Sequence, residues 1–155
     1  MISKEKYKFI AKVTITHFAT YILCGMFFMT LFNYYDHIET IGMKSAAEIN
    51  ILIMLLGQIA RGVLFGFVIW WIRDSIIGYK FAWLKLWAIL VIVGIFSVYA
   101  PAPGSIEGLI YLAPSSEQLP LAFILGSTAE IMVQPLLFCI IITYQKKKRP
   151  KANIA

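Results

Sequence analysis

Charge is scarce in this chain: Asp, Glu, Lys and Arg make up 14 % of it, against about 25 % in an ordinary soluble domain. Hydrophobic residues account for 60 %, and 155 residues offer too little interior to hide that excess from water. These two facts exclude a soluble enzyme, a secreted disulfide scaffold and a disordered tail. Cysteine is nearly absent as well. Cys24 and Cys139 lie inside apolar stretches without CxxC spacing, so they read as small buried hydrophobes and not as a redox pair. There is no HExxH, no intramembrane pair of aspartates and no matched histidines to ligate haem. Ser127 and Glu130 share a helix face, but a lone Ser–Glu pair makes a poor nucleophile and base. The sequence therefore predicts no catalytic residue, no cofactor and no metal site, and an enzyme is the less favoured reading. The cluster Asp36-His37-x-Glu39 reads as a solvated loop.

What the chain has instead is long apolar runs. A span needs about 20 mostly apolar residues to cross a hydrocarbon core about 30 Å thick. Four stretches qualify, at about 13–35, 49–72, 81–100 and 119–144. The first run is too long for a signal-peptide core and lacks a small-x-small cleavage site, and bulky Leu23 argues against lipidation at Cys24. The expected fold is an all-α membrane protein, a bundle of four transmembrane helices forming a single domain over 1–155.

Basic residues give the orientation. Lys4, Lys6, Lys8, Lys12, Arg73, Lys80, Lys85, Lys146, Lys147, Lys148, Arg149 and Lys151 fall on one side of the four spans. Lys44 stands alone on the other, with Asp36, Glu39, Glu48, Glu107 and Glu117. Both termini are predicted to be cytoplasmic, in a bacterial inner membrane. Trp70, Trp71, Trp83 and Trp87 crowd the cytoplasmic interface, where amphipathic rings are favoured. The basic tail, 145–155, reads as a stop signal for insertion that also attracts anionic lipid. Its placement does not suggest nucleic acid as a partner.

Two charges lie where charges are costly. Counted from their span starts, Arg61 and Glu130 both sit about 17–18 Å down, near the midplane. Arginine at that depth costs about 2.5–3.5 kcal/mol and cannot shed its proton. Pairing with Glu130 is the expected remedy. Gln58 and Gln134 share the faces of Arg61 and Glu130, which predicts a polar stripe of four side chains. One reading is a structural pair that fixes register; the other is a site, with an anion on Arg61 and Glu130 accepting a proton. Pro135 is expected to kink the fourth span and free the carbonyl of Ile131. Gly126 permits close approach there, and Gly62 with Gly66 forms a GxxxG step, a packing surface within the chain or in a dimer. His17, near Thr14, Thr16 and Thr20, reads as an interfacial histidine.

The segment PAPGSIEGLIYLAPSSEQ after the third span is too apolar for a plain exterior loop. A short helix over about 105–112 is predicted, interfacial or re-entrant, with Glu107 at the outer mouth as a possible second partner for Arg61. The string GQIARGVLFGFVIWWIRDSI, then PAPGSIEGLIY, then the late E-x-x-x-Q resembles a group of small four-span bacterial membrane proteins. The resemblance covers roughly residues 55–138 and departs from the group at Ala129, where the group carries proline. It singles out Gln58, Arg61, Gly62, Gly104, Ser105, Glu107, Gly108, Tyr111, Glu130 and Gln134, and it implies no substrate. The expected function is binding or transport of a small polar or anionic solute at the Arg61/Glu130 stripe. Transport through so thin a bundle would need a homo-oligomer or a larger membrane-protein partner. The alternative is a non-transporting accessory, assembly or immunity subunit.

Overall fold

A computed structural model describes residues 4–33, 48–97, 105, 106, 110 and 120–144. Among them every regular element is helical. Helix α1 (Lys4–Phe32) takes the basic leader into its first turns and stops where Asn33 turns left-handed at φ 44°, a conformation asparagine tolerates. Helix α2 (Ile51–Ile76) is capped by Asn50, whose side chain accepts from the Ile53 amide at 3.1 Å. A tight turn through Gly78 leads to α3 (Ala82–Ala88), and α4 (Leu121–Thr143) runs unbroken through Pro135.

Three helices, α1, α2 and α4, are long and apolar enough to cross a membrane. The predicted third span differs. Phe81 is a left-handed cap at φ 60°, not a helical residue, and after Ala88 the chain winds as a π-helix over Ile89–Phe96. The Ser97 amide closes the last wide turn on the Ile92 carbonyl at 2.8 Å. Apolar run length does not report winding, and π segments recur where a helix wall is shaped for function. Residues 98–100 lie outside the described set, as does most of the predicted 105–112 helix. Within that stretch Ser105 is buried, while Ile106 and Ile110 are helical and exposed.

Helix α1 is the axis of the bundle, packing along both α2 and α4, whereas α2 meets α3 sparsely. Its buried residues Ile10, Val13, His17, Thr20, Cys24 and Phe28 recur at three- and four-residue steps, the stripe of an inward helix face. One core cluster draws on all four α-helices: Val13, Ile69, Ile76, Ala82, Leu86, Phe138, Cys139 and Ile142. A second, around Cys24, Phe28 and Phe123, joins α1 to α4 among the described residues.

Glycines set how closely the helices approach. A Cβ on Gly62 would lie 2.9 Å from the Thr14 Cα, and one on Gly66 3.0 Å from the Ile10 Cα. The GxxxG step thus faces α1 within the chain. Gly126 stands equally close to Phe32, where an added Cβ would come within 2.6 Å of the phenylalanine Cβ. Beyond the Gly62 contact, α2 leaves the bundle: no residue from Ile51 to Arg61 is buried.

Candidate functional site

Where α2 parts from the bundle, a cavity of about 320 Å³ opens. Helix α1 contributes His17, α2 contributes Arg61 and Phe65, and α4 contributes Gln134, Pro135 and Phe138. The π segment closes the far side with Leu90, Gly94 and Ile95. A Cβ added to Gly94 would meet nothing within 4 Å, so a side chain has room at that wall.

His17 is 3 % exposed, and its Nε2–H donates to Oε1 of Gln58 at 3.2 Å. Phe65 and Phe138 meet the ring edge-on, with centroids 5.1 and 6.1 Å away, so the imidazole is held on several sides. With Nε2 donating, Nδ1 is the acceptor of the neutral ring. The neighbouring threonines are not available to a solute in the same way. Thr14 donates to the Ile10 carbonyl, and Thr20 to the carbonyls of Thr16 and His17.

Arg61 is exposed toward this opening and, among the described residues, makes no ion pair or hydrogen bond. The predicted pairing with Glu130 is therefore corrected. Arg61 follows Gln58, the partner of His17, and precedes Gly62, which faces Thr14. Glu130 lies against Gly25, where an added Cβ would be 3.4 Å from Oε1. Between those two levels α1 advances roughly 12–16 Å at 1.5 Å per residue. Counting depth from span starts failed because α2 and α4 begin at different heights along α1, in a register set by the glycine contacts.

The predicted stripe thus divides. Gln58, Arg61 and Gln134 gather around His17, while Glu130 is half-buried in a separate layer, with its interactions elsewhere. Glu107 lies outside the described residues. Ser127 donates to the Phe123 carbonyl at 2.7 Å, a bond back into its own helix. Among the described residues no group of three metal-ligating side chains occurs.

Pro135 is buried and lines the cavity. One turn before it, the indole Nε1 of Trp87 donates to the Met132 carbonyl at 3.0 Å, tying α3 to α4 at the proline. The sequence reading took His17 as an interfacial histidine and not as part of a site, and it did not single out Gly94 or this indole bond. The inward stripe of α1 carried the signal for His17, because that residue falls in step with Val13 and Thr20. Nothing local marked Gly94.

No protein-family model, curated protein or solved structure matches the chain.

Proposed function

We propose that this chain is a multi-pass protein of a bacterial inner membrane that binds a small anionic or polar solute at Arg61. In this reading Ala82–Phe96 belongs to a fourth span and both termini are cytoplasmic. The support is the guanidinium itself. Arginine far inside a span costs about 2.5–3.5 kcal/mol and keeps its charge, so its position calls for an anion, water or a partner. Here it borders a cavity of about 320 Å³ instead of a carboxylate. The Gln134 amide and the His17 ring supply further polar contacts, and Phe65, Phe138 and the π segment supply apolar walls. Glu130 has no part in this site.

The test is a thermal-stability screen of purified protein against chloride, nitrate, phosphate and short mono- and dicarboxylates. At least one anion should raise the unfolding midpoint of the wild type. Arg61→Gln should abolish that rise by removing the charge, and Gly94→Leu by filling the cavity. A rise that persists in both variants refutes the site.

A second reading follows from the same exposed guanidinium: an acidic side chain of a larger membrane protein enters the gap, and this chain is its accessory subunit. Co-purification of one such protein, lost in Arg61→Gln, would favour it.

A further inference from the structure

A second opening lies at the basic end of the bundle, far along α2 from Arg61. It is a groove of about 660 Å³ between the start of α1 and the end of α2, with Lys6, Phe67, Trp70, Trp71, Arg73 and Asp74 around it. Two of these cations are held in place. The central carbon of the Arg73 guanidinium stands over the Trp70 ring, 3.4 Å from its centroid, and its Nε donates to Asp74 at 3.2 Å. The ring contact and the Nε bond together restrict where the guanidinium can sit. Among the described residues the terminal nitrogens make no other hydrogen bond, so the fork is free for a two-oxygen acceptor. Across the groove Lys6 Nζ stands 5.1 Å over the Phe67 ring. Trp71 is 87 % exposed beside them, and Val68 continues an apolar strip toward the middle of α2.

A polar rim with two cations and one carboxylate, opening onto an exposed indole and an apolar strip, has the polarity of one lipid molecule. We propose that this groove holds the phosphate of an anionic phospholipid between Lys6 and Arg73, with the upper acyl chain along Trp71 and Val68. Asp74 orients Arg73 and leaves the rim with one net positive charge, which matches a phosphodiester without a cationic headgroup. The proposal rests on the chain lying in a bilayer with this end at the interface. It does not rest on the solute cavity.

The experiment uses the full chain in neutral detergent, with Lys146, Lys147, Lys148, Arg149 and Lys151 exchanged for glutamine throughout so that the basic tail does not contribute. Phosphatidylglycerol, phosphatidylcholine and inorganic phosphate are titrated separately. Retained lipid is read by native mass spectrometry, and the unfolding midpoint is read alongside. Phosphatidylglycerol should be retained and raise the midpoint, while inorganic phosphate at the same concentration should not. Each cation removed should weaken retention on the order of five-fold, so Lys6→Gln with Arg73→Gln should lose roughly 25-fold. Arg73→Lys keeps the charge and loses the fork, and Trp71→Ala keeps both charges and loses the indole. Each should weaken retention even if the double variant does not fold. Equal retention of phosphatidylcholine, an equal effect of inorganic phosphate, or retention unchanged in these variants would overturn the proposal. So would no retention by the wild type. A protein that stays dispersed without detergent would instead refute the membrane reading beneath it.

Discussion

His17 and Gln58 join α1 to α2 by one hydrogen bond of 3.2 Å, at the point where α2 begins to leave the bundle. Removing one partner leaves the other's polar group without its protein partner, whereas replacing both with apolar groups of similar shape is nearly neutral. His17→Phe should therefore cost about 1–3 kcal/mol, and the double variant with Gln58→Leu should recover most of it. Unfolding of the four proteins in one detergent checks the cycle.

Arg61 and Glu130 occupy separate layers, so their effects should add. A double-mutant cycle of Arg61→Gln and Glu130→Gln is expected to show coupling within about 0.5 kcal/mol, the scatter of independent sites. A larger coupling in the same unfolding measurement would mean that the two charges meet.

The glycines of α2 separate into two kinds. Gly62→Ala drives a Cβ against the backbone of Thr14 and should cost about 1–3 kcal/mol despite alanine's better helix propensity. Gly57→Ala meets nothing within 4 Å and should be neutral or gain up to about 1 kcal/mol. Thermal unfolding of the pair distinguishes a packing glycine from a permissive one on the same helix.

Trp87→Phe keeps an aromatic ring and removes the donor to the Met132 carbonyl. A loss of about 0.5–1.5 kcal/mol is expected, the worth of one ordinary hydrogen bond. The same substitution at exposed Trp71 should leave unfolding in lipid-free detergent unchanged.

The helical class and most helix positions were legible in the sequence because apolar length is a one-dimensional property. Runs at 49–72 and 119–144 correspond to Ile51–Ile76 and Leu121–Thr143. The polar side chains of the candidate site were visible one by one in the sequence, but their grouping was not. Arg61, Gln58 and Gln134 stand out as polar groups in apolar runs, but which of them meet depends on how far each helix slides along α1. That slide is fixed by the fit of Gly62 on Thr14 and Gly66 on Ile10, contacts between residues far apart in the chain. The π winding of Ile89–Phe96 depends likewise on tertiary surroundings, since Val, Ile and Gly in that order suit an apolar helix of either kind.

The central place of α1 also bears on biosynthesis. Among the described helices it precedes the others in the chain, and one of its two large neighbours, α4, follows them all. Until α4 has been made, the flank of α1 that carries Cys24 and Phe28 lacks Phe123, its buried partner in that cluster. His17 must wait for Phe138 in the same way, although Gln58 and Phe65 reach it earlier. A chain arrested before Leu121 would keep the α1–α2 contacts through Gly62 and Gly66 while lacking both Phe123 and Phe138.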